Sequence, residues 1–575
     1  MNAAELSKAA ANWADQDPDA ATAAEVRALI QKNDTKELED RFGASLEFGT
    51  AGLRGVLGGG PNRMNRAVVR RTTAGLARYL KQHVPDVVQR GVVVGRDGRR
   101  MSAELAHDTA AVLAAEGIPA LFFPEVGPTP LIAFATLHLK AAAAAMVTAS
   151  HNPPEYNGFK VYWGNGAQII PPHDKGIAAA IDAVEPANQV KLMPEAEARA
   201  KGLWRNVPQA VEREYLDAIS KLRVYGKPGD LTIVYSAMHG VGGRFIEAAL
   251  REAGFLKVHV VPEQQQPDGA FPTVRFPNPE EKGAMDLSTA LAEKVKADLV
   301  LANDPDADRL AVMARDATGR LKMFTGNEVG VLLGAYLLEH TKVKKPLVIT
   351  TIVSSAQLKA IAAAKGARYE ECLTGFKWIA NRALELLPEG DEFIFGFEEA
   401  LGYTVGTVAR DKDGVGTAVV IADLAAWCRS RGLTLFGYLE EVQRAHGLFL
   451  AKQANFTFPG TSGAATIRGI MAGFRGAHPS RIGELGVTAT RDYQAGVGSL
   501  PKADVVAYEL DGGSRVTLRP SGTEPKIKIY FELKEAVAAG EDLAAARARG
   551  EKKLAALEAA CLDLAYARGL PKGGA

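Results

Sequence analysis

Short apolar runs alternate with longer amphipathic stretches through most of the chain, and this alternation predicts the fold. Residues 92–94 read as a strand, 102–116 as a helix stopped by Gly117, and 120–123 as a second strand. A second helix over 129–139 and a third strand over 141–147 complete a β-α-β-α-β unit. The pattern returns over 231–235, 243–253, 257–261, 287–295 and 297–301, and again over 347–350, 355–364, 367–370, 375–386 and 392–395. Three passes of one unit predict three related α/β domains with mixed, largely parallel sheets and right-handed crossovers. The last quarter differs. Residues 505–510 and 515–518 read as a hairpin around Gly512-Gly513, followed by an alternating strand over 527–533 and a charged helix over 541–567. That is an α+β domain, open at one edge.

The expected boundaries are 1–205, 206–322, 323–450 and 451–575, with residues 1 to about 45 a helical lead-in. Each repeat ends in an unusually polar loop, and in parallel sheets ligands sit beyond the carboxyl ends of strands. This predicts an active site in a central cleft fed by loops from every domain.

Composition narrows the function. Across 575 residues, 47% are hydrophobic and the formal net charge is +1, so no global field marks nucleic acid or an anionic membrane as partner. No apolar run is long enough to span a bilayer, and no signal-type leader is read. Cys372, Cys428 and Cys561 lie far apart without metal or redox spacing, which suits a reducing compartment. A cytoplasmic protein is expected, acting as a monomer or weak homo-oligomer on small molecules.

The polar loops carry the chemistry. Met146-Val147-Thr148-Ala149-Ser150-His151-Asn152-Pro153-Pro154 places Ser150 at a strand end with a stiffened exit. Taken alone, it serves as well for a turn or cap as for a nucleophile. Asp304, Asp306 and Asp308, read as an extended loop, point alternate side chains one way, and three converging carboxylates suit a hard divalent cation such as Mg²⁺. The alternative is an acidic surface turn. Phe48-Gly49-Thr50-Ala51-Gly52-Leu53-Arg54-Gly55 is a glycine-rich loop, mobile or phosphate-binding. Lys160 alone reads as a surface lysine. Glu398 and Glu399 suit sugar hydroxyls or a helix start. Arg519-Pro520-Ser521-Gly522-Thr523-Glu524-Pro525-Lys526 offers the donor set of a phosphate clamp, or else a solvated turn. Together the loops describe phosphoryl transfer on a polyol phosphate.

Thr148-Ala149-Ser150-His151-Asn152-Pro153, Asp304-Pro305-Asp306-Ala307-Asp308-Arg309, Phe397-Glu398-Glu399-Ala400-Leu401-Gly402-Tyr403 and Arg519-Pro520-Ser521-Gly522-Thr523-Glu524-Pro525, in this order, resemble the four signature loops of the α-D-phosphohexomutases, the phosphoglucomutase/phosphomannomutase superfamily. The resemblance runs from about Gly43 to the C-terminal domain. It implies interconversion of sugar 1-phosphate and 6-phosphate, on glucose and also mannose, through a phosphorylated Ser150 and a sugar bisphosphate that also serves as activator. It implies one Mg²⁺ per chain on Asp304, Asp306, Asp308 and a phosphoserine oxygen of Ser150. Lys160 would be the general acid/base, assisted by His151 and Arg54. Arg309, Thr374, Gly375, Lys377, Glu398, Lys412, Arg519, Ser521, Gly522 and Thr523 would bind substrate. Ala400 stands where many members carry a hydroxyl, and Glu-Glu-Ala-aliphatic-Gly-Tyr is similar to the phosphoglucomutase-2-like branch. That branch implies phosphopentomutase activity or glucose 1,6-bisphosphate synthesis as alternatives. A phosphatase using the same loops and a non-catalytic sugar-phosphate sensor are the competing readings.

Overall fold

The computed structural model describes residues 1–50, 52–458, 463–521 and 526–571. By packing, the chain falls into two compact units, Met1–Phe324 with Ala400–Gly432, and Thr325–Glu399 with the described residues from Leu433 onward.

In the first unit, helices Ala3–Gln16, Ala20–Gln31 and Thr35–Phe42 close on a small core of Leu6, Ala10, Val26, Leu38 and Phe42. The first sheet has Val92–Arg96 at its centre, with Ala120–Phe122 parallel on one side and Ala143–Val147 parallel on the other. The second sheet repeats this arrangement: Thr232–Ser236 lies between Lys257–Val260 and Leu299–Ala302, all parallel. In both, the third strand turns back into an antiparallel neighbour, Tyr156–Trp163 after Ala143–Val147 and Ala311–Arg315 after Leu299–Ala302. The serine loop and the aspartate loop are therefore the connections at equivalent places in two related sheets.

In the second unit, Pro346–Thr351 is flanked by Arg368–Cys372 and Glu392–Glu398, again parallel and in the same order. The remaining strands form an antiparallel sheet in the order Leu448–Thr457, Lys526–Glu535, Arg515–Pro520, Val506–Leu510, Leu485–Asp492, Arg481–Ile482. Leu557 and Cys561 of helix Leu543–Tyr566, and Ile470 and Phe474 of Gly463–Gly476, belong to its core. The three βαβαβ units, their largely parallel mixed sheets and the C-terminal α+β region match expectation. Among the described residues, no helix is long and apolar enough to cross a membrane.

Placing the first strand between the second and third leaves a crevice where the crossovers diverge, the usual ligand site of such sheets. The loops after the first and third strands meet there in all three repeats. Arg99 donates to the carbonyl of Ser150, Val241 N–H to that of Pro305, and Ser354 Oγ to Glu399.

Three expectations are corrected. The stretch around Arg54 is not a free loop: Leu53–Val56 is a strand, and Arg54 lies opposite Gly158 of Tyr156–Trp163. Lys160 is not a surface residue but sits on that second strand, opposite Met146 and 6% exposed. The aspartates do not converge along an extended loop. A turn from Asp304 O to Ala307 N, with Ala307 left-handed at φ +54°, folds them together.

Candidate active site

Ser150 ends the buried run Ala143–Val147 and adopts φ +52°, a conformation that costs a residue with a Cβ about 1–2 kcal/mol. The surroundings hold it there. Its N–H donates to Thr148 Oγ1 at 2.9 Å, and its carbonyl accepts from Arg99 Nη2 at 2.6 Å. The hydroxyl, thus aimed, donates to Asp304 Oδ2 at 2.8 Å and lies 3.2 Å from His151 Nδ1. Burial, together with the Arg309 and Arg54 cations, holds the imidazole well below the ordinary histidine range, so it is neutral near pH 7.

Asp304, Asp306 and Asp308 are fully buried, and one oxygen from each lies within 4.8 Å of the others. Their remaining contacts decide which oxygens are left unpartnered. Asp306 Oδ2 accepts from Thr129 Oγ1 at 2.7 Å and from Lys160 Nζ at 2.7 Å. Asp308 Oδ2 accepts from Lys160 at 3.1 Å and Lys412 at 2.6 Å. The second oxygens, Asp306 Oδ1 and Asp308 Oδ1, are buried with no hydrogen-bond partner among the described residues. Unpaired buried carboxylate oxygens are rare and costly, and an all-oxygen set of this kind is what Mg²⁺ takes. The triad therefore fits a divalent cation.

The charges push in opposite directions. Burial and the like charges of Asp306 and Asp308 raise Asp304 well above the ordinary carboxylate range. For Asp308, burial is outweighed by Lys160 and Lys412, and the carboxyl is held far down. Burial disfavours the Lys160 cation, but Asp306 and Asp308 outweigh it and keep the ammonium above the usual lysine range. Lys412 reaches Asp308 because Ala400–Gly432 packs with the first unit, where Asp411 accepts from Tyr162 Oη at 2.5 Å and Gln168 at 2.7 Å. Arg309 Nη1 lies 4.0 Å from Glu280, and Arg54 Nη1 donates to Asn152 Oδ1 at 3.2 Å. Ser150, His151, Lys160, Lys412 and the triad thus meet in the first unit, with Arg54 and Arg309 close by.

The second unit brings together another group. Glu398 ends the strand Glu392–Glu398 and accepts from Gly375 N–H at 2.7 Å, where Gly375 opens a helix at φ +119°. Thr374 Oγ1 is buried with no hydrogen-bond partner among the described residues, and Lys377 lies over the Trp378 ring. Glu399 does not accompany Glu398. It pairs with Ser354, and burial, opposed by Lys528 and Arg519, raises its carboxyl. Arg519 sits opposite Lys528 across paired strands, and Ser521 N–H donates to Lys526 O at 2.8 Å. Gly522 and Thr523 lie outside the described residues.

Two residues were not anticipated from the sequence. Thr129 grips Asp306, and Arg99 gathers the serine loop. Each lies at a place a strand-end rule covers: Arg99 just after a first strand, Thr129 at the start of the helix before a third. The polar loops of the repeats that stand out in the sequence follow third strands alone.

Comparison with known proteins identifies the family. Models of the phosphoglucomutase/phosphomannomutase alpha/beta/alpha domains I, II and III match residues 45–188, 213–319 and 325–444, and that of the C-terminal domain matches 479–550. The phosphopentomutase of Homo sapiens is 38% identical over 565 residues, covering 92% of this chain and 92% of its own length. The glucose 1,6-bisphosphate synthase of Homo sapiens is also 38% identical, over 570 residues, covering 92% of this chain and 90% of its own. A crystal structure of a phosphoglucomutase/phosphomannomutase family protein from Burkholderia thailandensis shares the fold, with TM-score 0.64 and 21% identity over 89% of this chain and 97% of that one. With four domain models in order and relatives matched over nearly their whole length, the chain belongs to the phosphoglucomutase/phosphomannomutase, or α-D-phosphohexomutase, superfamily and is a phosphosugar mutase.

Proposed function

We propose that this mutase moves a phosphoryl group between C1 and the terminal carbon of a sugar through phospho-Ser150, with pentose 1-phosphates its preferred substrates and glucose 1-phosphate a weaker one. The observation that carries the reading is the placement of Ser150 Oγ, 2.8 Å from Asp304 Oδ2, beside a buried triad with two oxygens that have no hydrogen-bond partner among the described residues. The pentose preference rests on the phosphopentomutase relative and on Ala400, which offers no hydroxyl to a hexose.

Asp304, Asp306 and Asp308 would hold Mg²⁺, with phospho-Ser150 contributing an oxygen. When bound, the ion supplies neutralisation of charge on the transferring group. The chain does the rest. A sugar hydroxyl bonds phosphorus as the P–Oγ bond breaks. Lys160, held as a cation by Asp306 and Asp308, gives a proton to the departing Oγ and recovers one from the attacking hydroxyl. Neutral His151 and the Arg54 cation assist at the same loop. The resulting bisphosphate reorients and returns its other phosphate to Ser150. Glu398, Thr374, Gly375 and Lys377 are the proposed readers of sugar hydroxyls, Arg519 and Ser521 the proposed holders of the other phosphate. Arg309 and Lys412 would face the group in transit.

A coupled assay comparing ribose, deoxyribose, glucose and mannose 1-phosphates, with Mg²⁺ and a trace of bisphosphate, tests the substrate order. Intact-mass measurement after exposure to bisphosphate tests the carrier. Failure to phosphorylate, together with full activity of Ser150→Ala, would end the proposal. The glucose 1,6-bisphosphate synthase relative supports a second reading, bisphosphate formation without efficient return. Net accumulation of bisphosphate over isomer exchange would select it.

A further inference from the structure

We infer that Arg99 is a positioning residue for phosphoryl transfer, setting the backbone of the serine loop so that Ser150 Oγ faces the aspartate triad. The inference rests on the reading of Ser150 as phosphoryl carrier. Arg99 follows the first strand of the first sheet, in Gly95-Arg96-Asp97-Gly98-Arg99. Asp97 shapes the turn, its Oδ1 accepting from Arg99 N–H at 3.0 Å and from Ser102 Oγ at 2.8 Å. The Arg99 guanidinium then donates to four carbonyls of the neighbouring loop: Ser150 at 2.6 Å, Pro153 at 2.8 Å, Tyr156 at 3.2 Å, and Asn152. One face of the fork lies 4.9 Å from the centre of the Phe271 ring, and Arg99 as a whole is 4% exposed.

Arg99 does face a carboxylate, its Nε lying 3.4 Å from Asp97 Oδ2, but that ion pair leaves both terminal nitrogens of the fork to the serine loop. These spread over residues 150–156, and the first carbonyl belongs to Ser150, held at φ +52°. Release of that carbonyl lets the peptide after Ser150 rotate toward ordinary backbone angles, carrying Oγ away from Asp304. Lysine cannot replace this function, because an ammonium has three donors on a point and no fork to span four acceptors. Misplacement of a reacting atom by about 1 Å costs on the order of a hundredfold in rate. Sugar recognition lies elsewhere and should be spared.

The test uses the full-length chain charged with phosphate from a sugar bisphosphate. For Arg99→Lys we expect kcat about 30- to 100-fold lower, KM for sugar 1-phosphate within about threefold, and a shift in how phospho-Ser150 partitions. In the side reaction water attacks phosphorus, the P–Oγ bond breaks, inorganic phosphate leaves and Oγ gains a proton. The ratio of this release to transfer onto sugar should rise, a readout that a loss of stability alone does not move. If Arg99→Lys does not fold, Phe271→Leu, which removes only the ring against the guanidinium, should move kcat and the ratio the same way by a smaller factor. Unchanged kcat and unchanged partition in a folded, phosphorylated variant would overturn the inference alone. Absence of phosphate on native Ser150 would overturn the carrier reading, and this inference with it.

Discussion

Thr129→Val should weaken divalent-cation binding while leaving the fold and sugar affinity intact. Thr129 is fully buried at the first position of helix Thr129–His138, and it holds Asp306 twice. Its N–H donates to the Asp306 carbonyl at 2.9 Å and its Oγ1 to Oδ2 at 2.7 Å. With Lys160 on the same Oδ2, the carboxylate is held from two sides and Oδ1 stays buried without a hydrogen-bond partner among the described residues. Valine keeps the shape and the backbone bond but deletes the hydroxyl. A hydrogen bond to a charged acceptor is worth about 1.5–3 kcal/mol. If that orientation is spent on the metal, the loss corresponds to roughly ten- to a hundredfold in affinity, the range usual for residues that support metal ligands. Calorimetric titration with Mn²⁺ measures this directly, and the Mg²⁺ concentration for half-maximal activity should rise in parallel. Thr129→Ser, which keeps Oγ, should restore most of it. A folded Thr129→Val protein whose Mn²⁺ affinity is within threefold of native would refute the reasoning.

Other expectations follow from the same geometry. Lys412→Met removes one of two cations from Asp308, so Mn²⁺ affinity should hold or rise while the fraction of Ser150 phosphorylated at a fixed bisphosphate concentration falls about tenfold or more; intact mass reads the second quantity. Asp108 is buried between Arg66 and Arg70, at 2.7 Å and 2.8 Å, and Asp108→Asn should cost about 3–5 kcal/mol in the first unfolding transition. Burial raises that carboxyl, but the two arginines outweigh it and hold it below the ordinary range. Its contribution is thus fully present above about pH 4 and lost as pH falls toward the depressed value, so the acid-side drop in melting temperature should be shallower in Asp108→Asn. Gly75→Ala should lower the melting temperature although alanine favours helices by about 1 kcal/mol, because the added Cβ would lie 2.7 Å from the Ile181 backbone.

Much of this was legible in the chain. The three βαβαβ units are readable because each buried parallel strand is a short apolar run punctuated by glycine or a turn. Ser150 and the three aspartates stand out for the same reason, as polar residues where an apolar run ends. What escaped was the consequence of strand order. Because the first strand lies beside the third, the loop after the first strand touches the functional loop, and nothing local in Asp97-Gly98-Arg99 announces that neighbour. Lys160 was misplaced for a related reason. Asn157-Gly158-Phe159-Lys160 lacks the apolar density of a strand, yet it is pulled into the sheet as an antiparallel partner of Ala143–Val147, and only tertiary pairing makes a lysine there buried. The resemblance names Lys412, but its contact with Asp308, over a hundred residues away in sequence, lies beyond the reach of any local pattern.

The charge around the triad gives both Lys160 and Lys412 a role. Asp304, Asp306 and Asp308 would place three negative charges in a fully buried volume, an arrangement that burial alone makes costly. Lys160 and Lys412 return positive charge directly to Asp306 and Asp308, while Asp304 accepts from Ser150 Oγ and is raised above the ordinary carboxylate range. A divalent cation held there would favour the charged form of Asp304 as well. Were Ser150 the phosphoryl carrier proposed above, the two lysines would also offset the charge of its phosphate. Lys412 is supplied by the segment Ala400–Gly432, which groups by packing with the first unit, so the charge of the triad ties that segment to the aspartate loop.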